Sequence, residues 1–185
     1  MVTCVNNSED YYLFSEDLLM GHVKDDIPEG FKLRPLHIKD YEKGYLELLE
    51  QLTTVGDVTE AEWIKRFNSM RAKDDGIPQS YYIVVLEDLT TQKIVGSVTL
   101  VIEFKFIHHA GSRGRIEDVV TDKNYRGRHI SQILNKTMVS LAKNIGVYKL
   151  SLECKDTLIR FYEKFGFKKD QGNNFLVQKF DNSKL

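Results

Sequence analysis

One stretch limits what this chain can fold into. Residues 115–120 read Arg-Ile-Glu-Asp-Val-Val, and Ile130, Ile133, Leu134, Met138, Leu141, Ala142 and Ile145 recur at helical spacing. An apolar strand therefore runs through a short polar loop into an amphipathic helix. Gly146 stands at its end, where a left-handed cap favours glycine. A helix with one apolar stripe must bury it and a strand needs neighbours, so a layered α/β structure follows. Glu117-Asp118 interrupts the strand's alternation, as a bulge does.

The flanking sequence supplies the layers. Phe31–Leu36 reads as a short strand stopped by Pro35, with Asp40 as N-cap of a helix over Tyr41–Leu52. Thr59-Glu60-Ala61-Glu62 is a capping box that opens a helix to about Met70. Tyr81–Glu87 and Lys93–Phe104 form a hairpin around Asp88–Gln92. After the long helix, Tyr148–Glu153 is a strand and Thr157–Lys164 a short helix ended by Gly166. Phe167–Lys169 and Phe175–Phe180 are expected as final strands. The expected architecture is one mixed sheet flanked by helices, a single domain over residues 31–185. Residues 1–30 form an acidic extension, from which Leu13, Phe14, Leu18 and Leu19 can dock on the body.

Composition excludes several classes. Of 185 residues, 42% are hydrophobic and 29% charged, as in a globular domain. Lys plus Arg number 26 against 27 Asp plus Glu, a net charge of -1, so no global basic field attracts nucleic acid. Two cysteines, Cys4 and Cys154, make no disulfide framework, and Cys154 reads as a small buried residue. The N-terminus lacks the basic and apolar regions of a signal peptide, and no apolar run reaches membrane-span length. The expectation is a cytoplasmic chain with reduced thiols and no membrane contact.

The loop Thr121–Ile130 carries the first chemical signal. A helix N-terminus exposes unpaired N–H groups and positive dipole, Gly127 permits close backbone approach, and Arg126 and Arg128 add charge. These residues suit a phosphate, but they equally describe an ordinary strand-to-helix connection with a solvated basic loop. The spacing is not that of a P-loop or a dinucleotide fingerprint. His108-His109 has no third ligand at a supporting spacing, so no metal is expected.

The segment Arg126-Gly127-Arg128-His129-Ile130-Ser131 resembles the acetyl-CoA loop of the GNAT acetyltransferases, Arg/Gln-x-x-Gly-x-Gly/Ala. His129 replaces the middle glycine and Ser131 the last small residue. Arg160-Phe161-Tyr162-Glu163-Lys164-Phe165-Gly166-Phe167 resembles the late motif of that family. Lys105–His108, Arg113–Val120, Val147–Cys154 and Leu52–Gly56 are similar to one branch, the glucosamine 6-phosphate N-acetyltransferases. Leu158 departs from that branch's asparagine.

The resemblance implies a GNAT fold with a centrally splayed sheet. It also implies acetyl transfer from acetyl-CoA to the 2-amino group of glucosamine 6-phosphate, serving UDP-N-acetylglucosamine synthesis, by direct attack without an acyl-enzyme or metal. Glu117 and Asp118 receive the amine's proton, and Tyr162 faces the departing sulfur. Val119, Val120, Thr121, Arg126, Gly127, Arg128, His129, Ile130, Ser131, Gln132 and Glu153 hold CoA, with N–H groups of Val119–Thr121 facing the oxyanion. Thr53, Lys105, Phe106, Ile107, His108 and Lys179 bind the sugar phosphate. Tyr148 and Lys149 reach the neighbouring subunit's sugar in a homodimer. Two rival readings are an acetyltransferase of another amine, such as a polyamine or a protein lysine, and a non-catalytic acyl-CoA-binding module.

Overall fold

The structure, a computed structural model, describes residues 11–19, 27–71 and 79–180. Cys4, Glu9, Asp10, Asp25 and Asp26 lie outside the described residues. The chain forms two compact units, divided between Glu153 and Cys154.

The first unit is built on a five-stranded sheet in the order β1-β2-β3-β4-β5. The strands are β1 (Phe31–Pro35), β2 (Tyr81–Asp88), β3 (Lys93–Phe104), β4 (Ser112–Thr121) and β5 (Lys149–Leu152). The first four pair antiparallel and β5 pairs parallel to β4, so the sheet is mixed as expected. Parallel pairing needs a crossover, and the long helix α4 (Ile130–Ile145) provides it. Six of its predicted apolar residues, Ile130, Ile133, Leu134, Met138, Leu141 and Ala142, are at most 3% exposed, at roughly 1.5–3 kcal/mol for each large side chain. Gly96 on β3 makes this packing possible. A Cβ there would sit 2.7 Å from Ile130 Cγ2.

β4 carries the bulge. Thr99 pairs with Glu117 and Ser97 with Val120, so Asp118 and Val119 together oppose Val98. Asp118 takes a left-handed φ of 51°. The β4–β5 ladder stops at Ile116 and Leu152, whereas β4 continues to Thr121 paired only with β3. From Glu117 onward β4 thus has an open side, which is the splay of the expected fold.

Several local expectations change. The helix predicted over Tyr41–Leu52 is split, because Gly44 adopts φ 78° and separates a 3-10 turn (Ile38–Tyr41) from α1 (Tyr45–Glu50). His37 caps that turn, and Asp40 is instead a fully buried partner of Arg34, at 2.7 Å for both carboxylate oxygens. Helix α2 (Glu60–Met70) begins with the predicted capping box. Of the extension, Leu13 and Phe14 are buried while Leu18 stays 39% exposed.

In the second unit, a 3-10 turn (Asp156–Leu158) leads into α5 (Ile159–Glu163), and Gly166 takes φ 88° after it. The strands expected over Phe167–Lys169 and Phe175–Phe180 do not form. A short apolar run marks a segment able to pair, but a ladder needs a partner. Phe175, Leu176, Val177 and Phe180 are 63%, 89%, 60% and 74% exposed. Cys154 is exposed as a free thiol, not buried.

Candidate active site

The open side of β4 is the centre of the site. The bulge puts Glu117 and Asp118 side by side where the neighbouring strand has ended. They are not equivalent. Glu117 accepts from Arg115 Nε at 2.8 Å, and Arg115 also reaches Glu153 at 2.5 Å. Residues two apart on a strand share a face, so the Arg115-x-Glu117 spacing announces this pair, which sequence reasoning missed. Asp118 has solvent access, yet the protein around it partly desolvates its carboxyl and pushes its pKa up. A carboxylate shifted that way holds a proton more readily, as a general base requires.

Val119, Val120 and Thr121 continue β4 to the loop. Their N–H groups not aimed at β3 face the opening. Asp122 caps a 3-10 turn (Lys123–Tyr125) by accepting from Asn124 N–H at 2.8 Å. Arg126, Gly127, Arg128 and His129 then arch, all exposed, to the start of α4. Gly127 takes φ 82° and His129 φ 61°. A histidine holds the left-handed conformation at a cost of about 1–2 kcal/mol that the family's glycine avoids. Ser131 has a use the motif did not foretell, since its hydroxyl lies 2.9 Å from that of Thr121 and ties α4 to β4. Ile130 is buried and Gln132 half-buried. Nothing lies within 4 Å of a Cβ built at Gly127. Exposed helix N–H groups, open space and two arginines fit a pyrophosphate.

Of the sugar-phosphate candidates, Lys105, Phe106, Ile107, His108, Tyr148 and Lys149 gather at the opposite end of β4, whereas Thr53 and Lys179 do not. Lys105 pairs with Glu103 at 2.5 Å, and this hydrogen bond holds the Glu103 carboxyl below its ordinary range. Phe106 and Ile107 are 102% and 62% exposed. The single turn α3 (Ile107–Ala110) has left-handed φ at His108, His109 and Ala110. His108 stacks on Tyr148, ring centroids 4.1 Å apart, and Lys149 is the register partner of Arg113. Arg113, another residue the sequence reading passed over, donates to Ser151 at 3.0 Å and leaves its buried Nε unpartnered among the described residues. Thr53 is exposed just after α1, its N–H bonded to Leu49 O.

In the second unit, Tyr162 is 7% exposed and packs edge-on to Phe161 and Phe167. Burial, with nearby Cys154 contributing, pushes its phenol up, so it keeps its proton. Lys179 is exposed. Among the described residues no group of three or more His, Cys, Asp or Glu is placed to hold a metal, and no helix is long and apolar enough to cross a membrane.

Residues 39–167 match the Acetyltransferase (GNAT) family. The chain is 38% identical over 192 residues to a probable glucosamine 6-phosphate N-acetyltransferase of Drosophila melanogaster, covering 96% of this chain and 85% of that one. It is 39% identical to the glucosamine 6-phosphate N-acetyltransferase of Arabidopsis thaliana, over 75% and 90% of the two chains. The chain belongs to the GNAT acetyltransferases, in their glucosamine 6-phosphate N-acetyltransferase branch. The crystal structure of the Arabidopsis thaliana enzyme superposes with a TM-score of 0.74 at 36% identity, covering 83% of this chain and 100% of that one. GNAT acetyltransferases use acetyl-CoA as their acetyl donor.

Proposed function

We propose that this chain transfers the acetyl group of acetyl-CoA to the 2-amino group of glucosamine 6-phosphate in the cytoplasm. What carries the reading is that one continuous segment, 117–131, joins a carboxylate pair to an anion cradle. The cradle suits the CoA pyrophosphate, and the carboxylates suit an ammonium that must lose a proton before it attacks. In this reading Asp118 takes that proton, directly or through water, while Glu117, neutralised by Arg115, orients the amine. Unpaired N–H groups of Val119–Thr121 stabilise the oxyanion, and Glu153 borders the acetyl donor. The nitrogen attacks the thioester carbonyl directly. The C–S bond breaks and Tyr162, which holds its proton, protonates the thiolate, while the extra proton on the attacking nitrogen leaves through water and restores the phenol. The single catalytic domain spans residues 31–185.

The sugar phosphate is proposed to be held by Lys105, Phe106, Ile107, His108 and Thr53, with Lys179, and with Tyr148 and Lys149 of a second copy. In a two-fold dimer the same patch is used twice, so each chain lends Tyr148 and Lys149 to its partner's site and borrows the partner's. Exposed Phe104, Phe106 and Ile107 offer apolar area for such contact.

The test is release of free thiol from acetyl-CoA with glucosamine 6-phosphate, glucosamine and spermidine as acceptors. Strong preference for the first is expected, because a site built for an anion is left with unpaired charge by the unphosphorylated sugar. Equal kcat/KM for the two sugars overturns the sugar-phosphate reading, and preference for spermidine selects the polyamine alternative.

A further inference from the structure

Gln51 follows α1 as its C-cap and stands two positions before Thr53. Its amide grips a distant part of the chain with both arms. Nε2 donates to Asp122 Oδ2 at 2.8 Å, and Oε1 accepts the Lys123 N–H at 2.9 Å. A primary amide presents donor and acceptor on separate atoms, so this pairing fixes its orientation. Both carboxylate oxygens of Asp122 are engaged in the same arrangement, the other one capping the 3-10 turn that leads to Arg126. The far end of that turn is fixed as well. Tyr125 donates its hydroxyl to Asp88 at 2.6 Å, and Arg128 lies 5.1 Å from the Tyr125 ring centroid. The loop before α4 is therefore anchored on one side to the β2–β3 hairpin and on the other to the residue that opens the Thr53 segment.

We propose that Gln51 is a positioning residue that couples the two substrate sites, a reading that rests on the reaction proposed above. Any shift of the Asp122–Arg126 turn when pyrophosphate binds must carry the Gln51 amide with it or break both hydrogen bonds. Through two peptide units the amide sets the position of Thr53. Occupancy of the CoA loop then raises affinity for the sugar phosphate, and linkage requires the sugar phosphate to raise affinity for CoA equally. A surface staple of local effect has neither consequence.

The test uses CoA, which carries no acetyl group and cannot react, and glucosamine 6-phosphate. Calorimetry gives the sugar-phosphate affinity with and without CoA in the wild type, Gln51→Ala, Gln51→Glu and the double variant Gln51→Glu/Asp122→Asn. The single glutamate substitution keeps an acceptor for the Lys123 N–H but sets a carboxylate against Asp122. The added Asp122→Asn change supplies the missing donor from the other side and still caps the turn, since Asn caps as well as Asp. The expected result is a CoA-dependent gain in the wild type that disappears in both single variants and returns in the double. Gln51→Ala is also expected to lose roughly tenfold in kcat/KM for the sugar phosphate, the scale of one or two net hydrogen bonds. A native gain in Gln51→Ala, no gain in the wild type, or a loss that the double variant does not rescue overturns the coupling. A wild type that turns over glucosamine 6-phosphate in any of these cases leaves the proposed reaction standing. A wild type that does not acetylate this sugar overturns that reaction and the coupling with it.

Discussion

Arg115 and Glu117 lie two positions apart on the same face of β4, and the guanidinium donates to the carboxylate at 2.8 Å. This ion pair distinguishes the surroundings of two adjacent acids. Glu117 is ion-paired with Arg115, while its neighbour Asp118 is solvent-exposed with a carboxyl pushed up by partial burial.

Asp118→Asn is expected to lower kcat/KM by about 10²–10⁴-fold, the range of a lost general base. The acid limb of the wild-type profile reflects protonation of Asp118, above the ordinary carboxylate value, and it disappears in the variant. The stability effect has the opposite sign. A raised carboxyl pKa contributes stability at low pH that is lost as pH rises through the folded value, so the asparagine variant is expected to be no less stable at neutral pH. Rates from pH 4 to 9, with urea unfolding at neutral pH, check both.

Tyr162→Phe removes a proton donor but keeps the edge-on ring contacts with Phe161 and Phe167. At saturating substrates kcat is expected to fall while acetyl-CoA affinity stays native. An unchanged kcat in single-turnover measurements, which exclude product release, removes Tyr162 from the mechanism.

Gly127→Val forces a β-branched residue to φ 82° in the arch before α4. Acetyl-CoA affinity is expected to fall at least tenfold, through strain of about 1–2 kcal/mol and loss of close backbone approach. Calorimetry on the folded variant checks it, and native affinity removes the loop from the CoA site.

Mixing Lys149→Ala with Glu117→Ala tests the shared site. Each variant alone is expected to be weak. After subunit exchange, a heterodimer has one site with both lesions and one with neither, so up to about a quarter of native site activity returns. No recovery despite demonstrated exchange places Lys149 in its own chain's site or outside any site.

Arg34→Met leaves Asp40 buried without its cation and Glu87 with Lys43 alone, at an expected cost of about 3–5 kcal/mol in urea unfolding. Burial pushes the Glu87 carboxyl up, but hydrogen bonds from Lys43 and Arg34 outweigh it and hold the pKa low. A depressed carboxyl contributes stability above its unfolded pKa that is lost as pH falls through the folded value. Wild-type stability is therefore expected to drop steeply in acid, and that of Arg34→Met less so.

The sequence by itself determined the elements whose cause is local. The α4 stripe, the Thr59 capping box and the Gly146 and Gly166 stops depend on side chains within one or two turns. The loop from Arg126 to Ser131 was legible for the same reason, since a helix start and its charges are contiguous in the chain. What lay beyond the sequence depends on pairing across it. Gly44 splits a helix that periodicity drew as continuous, because its left-handed φ lets the chain turn between two packing directions. Asp40 looked like an N-cap and sits at N3 instead, accepting the His37 N–H and buried beside the Arg34 that β1 delivers. The strands drawn over 167–169 and 175–180 have apolar and aromatic residues and no ladder, since composition records a segment able to pair and not its partner. The difference between Glu117 and Asp118 is part local and part tertiary. Glu117 meets Arg115 through ordinary strand spacing, but the bulge against β3 that gives Asp118 its left-handed φ, and the surroundings that push its carboxyl up, come from residues distant in the chain.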